Sequence, residues 1–137
     1  METGEAEPYR SGQRFEFGTR AWPLYAGLGA SLEWLSTLGW EHIEQHMAAL
    51  SAYLKEQVTR RPYLHLITPR EWGASSGLTS FSMAGQQAPD LAATLRSRWQ
   101  IHVRVVTHYN AIRVATAFFN SQEDIDTLLA ALDELAG

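Results

Sequence analysis

A chain of 137 residues, 45% apolar and 19% charged, has the composition of one folded domain with a core of its own, which excludes a disordered tract. Its net charge of −4, with scattered basic residues, excludes the basic stripe of a nucleic-acid binder, and the absence of cysteine excludes disulfides, thiolate metal sites and a cysteine nucleophile. No apolar run approaches the roughly 20 residues of a membrane span, and the acidic start Met1 to Pro8 lacks the apolar core of a signal peptide, so a cytoplasmic location is expected.

Residues 1–13 read as a loose leader and 14–137 as a single domain. Leu24, Leu28, Leu32, Leu35 and Leu38 recur at helical spacing, with Gly39 placed to end the helix. Gly27 and Gly29 weaken it locally and predict close contact with another backbone. A second helix follows from about Glu41, with Ile43, Met47, Leu50, Leu54 and Val58 on one face, and Arg60-Arg61-Pro62 stops it. Leu64 to Thr68 and Leu78 to Met83 alternate as strands, separated by a Gly/Ser loop from Gly73 to Gly77. Pro89-Asp90 opens a third helix that turns Leu91, Leu95 and Trp99 inward. Ile101 to Val106 and Ala111 to Thr116 read as two further strands around a short turn at His108-Tyr-Asn110. A capping box from Ser121 to Asp124 starts the last helix, whose Ile125, Leu128, Leu129, Leu132 and Leu135 form its core stripe. The order ααββαββα, without regular βαβ units, predicts an α+β fold: a small, mostly antiparallel sheet backed by helices. There is no internal repeat.

Arg113 is the residue that this pattern explains least. A guanidinium inside an apolar strand costs several kcal/mol unless an anion meets it, on the order set by buried charges generally. Two explanations stand: an internal partner, for example Asp124 or Asp126 near the strand end, or an acidic ligand. His42 and His46 are four apart on a helix, but no third ligand accompanies them and solvated histidines are the simpler reading, so no metal site is expected. His108 and Tyr109 either line a pocket or form a plain turn. The five tryptophans are dispersed as core or interface fillers, and no phosphate-cradling glycine loop of the nucleotide-binding types is present.

Two stretches carry more than periodicity: Arg14-Phe-Glu-Phe-Gly-Thr19 followed by Gly27-Leu-Gly-Ala, and Ile101-His-Val-Arg104 leading to Ile112-Arg113-Val-Ala and Asn120-Ser-Gln-Glu-Asp-Ile-Asp126. Their ordered combination resembles the C-terminal small domain of class V aminotransferase-fold enzymes, which depend on pyridoxal phosphate and include cysteine desulfurases and isopenicillin N epimerase-like proteins. The resemblance implies that Arg113 grips the α-carboxylate of an amino-acid substrate and that Arg104 is a second arginine near the pocket. It also implies that Thr19, in the Gly18-Thr19 turn, reaches the cofactor phosphate of a partner subunit in a homodimer. A guanidinium suits the first role because two parallel N–H donors hold a carboxylate and fix its orientation.

The departures are equally specific. The connection Thr107-His-Tyr-Asn110 is short and has no cysteine, so sulfur abstraction by a cysteine on that loop is excluded. Ala115 and Ser121 replace the serine and threonine usual in the last motif. The enzymes of this resemblance hold the cofactor on a lysine of a large N-terminal domain. Here the sole lysine is Lys55, expected on the solvated side of the second helix. The expectation is therefore a small substrate-binding domain with no catalytic residue of its own, truncated or split from the large domain. An alternative is a stand-alone interaction or dimerisation module built on the first helix.

Overall fold

The computed structural model describes residues 10–15, 18 and 20–137. They divide into two units, Met1–Leu38 and Gly39–Gly137. The first contains a 3-10 turn at Gly12–Phe15 and helix α1, Trp22–Leu38. Every turn of α1 carries apolar side chains, and none of its residues is buried. Within this first unit, among the described residues, no atom lies within 4 Å of where a Cβ would stand on Gly27 or Gly29. Gly39 directly follows α1 and caps the start of α2, with φ +83° and ψ 118°, a positive-φ conformation that suits glycine but is not the left-handed helical one of a helix-ending glycine.

The second unit holds α2 (Trp40–Arg60), β1 (Leu64–Leu66), β2 (Leu78–Met83), α3 (Ala88–Trp99), β3 (Arg104–Val106), β4 (Ala111–Ala115) and α4 (Gln122–Ala136). The four strands make one antiparallel sheet in the order β1-β2-β4-β3, and α2 and α3 pack against it. This is the α+β arrangement expected from the sequence. In β2 the period of two is plain: Thr79, Phe81 and Met83 are buried, while Ser80 and Ser82 are half-buried. Phe81 and Ile112, paired across β2 and β4, meet Leu54 and Val58 of α2, Leu91 and Leu95 of α3, and Leu128 and Leu132 of α4 in one core.

Local chemistry sets the ends of these elements. Pro89 stands in the first turn of α3, where its missing N–H is no loss, and Asn110 fastens that same end. Asn110 adopts the left-handed conformation (φ 44°), its Oδ1 accepts from the Ala88 N–H (2.8 Å) and its Nδ2 donates to the Gln86 carbonyl (3.1 Å). The turn after β3 is thereby anchored to the start of α3. α4 begins with the expected capping box: the Asp124 N–H donates to Ser121 Oγ and the Ser121 N–H donates to Asp124 Oδ2 (2.9 Å). At the far end of α2, Arg61 grips Asp133 of α4 with two parallel bonds, Nε to Oδ1 (2.7 Å) and Nη2 to Oδ2 (2.9 Å), and the Tyr63 hydroxyl donates to the same carboxylate. Arg61 holds Asp133 below the usual carboxylate range.

Three strands are shorter than their sequence pattern; β4 ends at Ala115 rather than Thr116. β1 stops at Leu66 rather than Thr68. β3 starts at Arg104 rather than Ile101, because its pairing with β4 begins only at Arg104 opposite Arg113. The late start of β3 opens space beside β4.

Candidate functional site

A cleft of about 370 Å³ lies where β4 runs past the start of β3. The coil Ile101 to Val103 forms one side and the beginning of α4, with Asn120, Asp124, Ile125 and Leu128, forms the other. Arg104 and Arg113 both line it. They are direct cross-strand partners, so they share one face of the sheet, with Ser80 of β2 on the other flank of Arg113. Most of the remaining lining is aliphatic, from Leu78, Val103, Val114 and Leu128 among others.

Neither explanation for Arg113 by an internal partner holds. The Asp124 carboxylate is occupied by the helix cap, accepting from the Ser121 N–H and from Asn120 Nδ2 (3.2 Å). Those donors, the backbone N–H foremost, lower its pKa. Asp126 accepts the Tyr53 hydroxyl at 2.6 Å. Among the described residues, no carboxylate lies within ion-pair distance of Arg104 or Arg113. Both side chains are exposed at the cleft, so the desolvation expected of a guanidinium inside an apolar strand is largely avoided. The strand alternation explains this: Ile112 is buried on the helix side while Arg113 points the other way.

The other sequence-level candidates fall elsewhere. Thr19 lies outside the described residues. Gly18 is exposed, with open space where a Cβ would be. His108 and Tyr109 sit in the 3-10 turn Thr107–Tyr109 and do not line the cleft. His46 Nε2 is 2.9 Å from the Asn120 carbonyl oxygen and, as its N–H tautomer, donates to it.

Lys55 is the clear correction. It is 2% exposed, not a solvated surface lysine. Its ammonium donates to Ser75 Oγ (2.5 Å) and to the Arg70 carbonyl (3.4 Å). Ser51, one turn earlier, donates to the Ser76 carbonyl (3.0 Å). The buried stripe of α2 is thus wider than its aliphatic residues, and its polar margin fastens the 70–77 loop. Burial pushes the Lys55 ammonium below its ordinary pKa, with Glu71 opposing. The signal available in the sequence was Ser51 and Lys55 four apart beside Leu50 and Leu54, but a long lysine stem is compatible with either a buried or a surfaced head.

Residues 3–128 match the family model of class V aminotransferases. The chain belongs to that family. Among its relatives, a probable cysteine desulfurase of Synechocystis sp. is 31% identical over 131 residues, covering 87% of this chain and 31% of the relative. The isopenicillin N epimerase of Amycolatopsis lactamdurans is 27% identical over 122 residues, with coverage of 87% and 31%. A solved structure of a cystine C–S lyase with its product cysteine persulfide superposes with a TM-score of 0.75 at 29% identity, over 88% of this chain and 32% of the lyase. An apo cysteine desulfurase from Thermococcus onnurineus gives 0.79 at 26%, over 90% and 33%. A variant of the lyase carries glycine covalently linked to its pyridoxal phosphate cofactor (TM-score 0.74, 28% identity, over 88% and 31%). Class V enzymes of this kind use that cofactor, and the α+β fold seen here is part of theirs. The chain spans about a third of the length of the relatives it matches.

The residues in hand do not by themselves fit a covalent pyridoxal phosphate site. The single lysine is absent from the arginine cleft, and its amine is already committed to Ser75 and Arg70.

Proposed function

We propose that this chain is the small, substrate-carboxylate-binding domain of a pyridoxal-phosphate-dependent class V enzyme, inactive without a large domain that carries the reactive lysine. The observation that carries this reading is the pair of arginines, free of any carboxylate among the described residues, beside a cleft that no lysine lines. In the assembled enzyme Arg113 holds the α-carboxylate of an amino acid through two parallel donors, fixing the orientation of the bonds at Cα. Arg104 stands beside it as the second cation of the pocket. Gly18 and Thr19 serve the cofactor phosphate across a homodimer interface, a task for a hydroxyl next to a glycine that lets the backbone approach closely. The large domain is either continuous with this chain or a separate polypeptide.

The decisive test adds pyridoxal phosphate and an amino acid to the chain alone and to the chain supplied with a class V large domain. Turnover only in the second case, lost in Arg113→Gln, is the expected result. A lysine-dependent chromophore or turnover from the chain alone refutes the reading.

One observation favours a second reading, that of an interaction or dimerisation module: α1 keeps Trp22, Leu24, Tyr25, Leu28 and Trp34 more than half exposed. Sedimentation separates it from the first, since a monomer at high concentration speaks against a self-associating helix.

A further inference from the structure

The register of the two arginines says more than that a carboxylate binds. Arg104 and Arg113 are directly opposed on adjacent antiparallel strands, where Cα atoms stand about 4.5–5.5 Å apart and side chains run parallel on one face. Like charges so placed repel, and among the described residues no carboxylate comes within ion-pair distance of either. A single carboxylate satisfies one guanidinium in the bidentate manner and leaves the second poorly matched.

We propose that the two guanidiniums form a double clamp, and that the amino-acid substrate of this site carries a second carboxylate on its side chain, as a four- or five-carbon dicarboxylic amino acid does. This rests on the carboxylate-binding reading of Arg113 given above. Arg113 takes the α-carboxylate and Arg104 the distal one. Leu78, exposed on the same face of the sheet as Arg113 and also lining the cleft, offers aliphatic surface to the methylenes between them. The charges in the cleft are consistent with such a ligand. Arg104 and Arg113 are opposed by one carboxylate, that of Asp124, which the helix cap engages, and His102 is the remaining titratable group on the wall. A dicarboxylic amino acid, with two carboxylates and one ammonium, complements that set better than a monocarboxylic one. The short turn Thr107–Tyr109 fits the same picture, because Asn110 fastens it to α3 and so fixes the spacing of the two strands that it joins.

The test titrates the full chain with L-glutamate, L-aspartate and L-2-aminobutyrate at constant ionic strength, following the arginine side-chain N–H resonances. At least one dicarboxylic amino acid is expected to bind about tenfold or more tightly than 2-aminobutyrate, a difference of about 1.4 kcal/mol. Arg104→Gln is expected to bring that ratio to near one, with backbone resonances confirming that the variant is folded. A wild-type ratio near one, with 2-aminobutyrate binding still lost in Arg113→Gln, overturns the double clamp and leaves the single-carboxylate reading standing. A tenfold ratio that survives in Arg104→Gln also overturns it. No response of either arginine to any of the three ligands overturns the double clamp and the carboxylate reading together.

Discussion

Substituting Gly77 by alanine tests how tightly the end of the 70–77 loop packs against the chain just beyond β4. A Cβ at Gly77 would stand 2.4 Å from the Thr116 carbonyl oxygen and 3.0 Å from the Met47 methyl. The methionine can swing away, but the carbonyl belongs to the chain just beyond β4 and must retreat by about 1 Å to reach ordinary contact. That movement strains two bonds at the same point, from the Thr116 N–H (2.7 Å) and the Thr116 hydroxyl (3.1 Å) to the Gly77 carbonyl. Overpacking costs about 1–3 kcal/mol and a weakened buried hydrogen bond about 0.5–1.5, so Gly77→Ala should destabilise by roughly 2–4 kcal/mol. At roughly 4 °C per kcal/mol for a domain of this size, the melting temperature should fall by about 8–16 °C. Gly73 supplies the control, four residues earlier in the same loop and with nothing within 4 Å of its Cβ position. Gly73→Ala should be neutral or stabilising by up to about 1 kcal/mol through the unfolded chain. Urea and thermal unfolding of both variants measure this. Equal effects at the two glycines, or a Gly77→Ala cost under about 0.5 kcal/mol, would refute the reasoning.

The Thr79 hydroxyl is fully buried with no hydrogen-bond partner among the described residues, so Thr79→Val should raise stability by about 1 kcal/mol in denaturant melts. Asn110→Ala removes two hydrogen bonds and places a Cβ-bearing residue without a polar side chain at positive φ; a loss of about 2–4 kcal/mol is expected, with Asn110→Gly recovering about 1 kcal/mol of it. For Lys55 the sign follows from its lowered pKa. The unfolded chain binds this proton more tightly than the folded one, so the lysine's contribution to stability rises as pH climbs through the folded value toward 10.5. Lys55→Met should therefore compare best with wild type near neutral pH and lose ground by about pH 10, measured as the difference between urea midpoints. A pH-independent difference would show that Lys55 carries no burial penalty.

What the sequence makes legible follows the strength of each local signal. The capping box at Ser121 and Asp124 and the proline at the first turn of α3 name their elements, because each satisfies backbone groups that only a helix start leaves open. The alternation of β2 survives intact because one face is fully covered. β3 is the contrary case: Ile101 to Val106 alternates just as well, yet pairing depends on where β4 lies and begins only at Arg104. The arginines are legible as unusual residues. That neither has a partner is not, since Asp124 and Asp126 are near enough in sequence and only the fold commits them to Ser121, Asn120 and Tyr53. Lys55 shows the same limit from the other side, because burial of a flexible lysine depends on the path of a loop twenty residues away.

The late start of β3 has a bearing on mutagenesis. Beyond Arg113, the β3-side edge of β4 has no strand partner among the described residues, so main-chain amides and carbonyls border the cleft there. Peptide groups cannot be deleted by exchanging side chains. A substitution scan across this region will credit the guanidiniums with whatever it abolishes and overlook recognition by the polypeptide backbone, which amide-to-ester replacement at Ala115 could reveal.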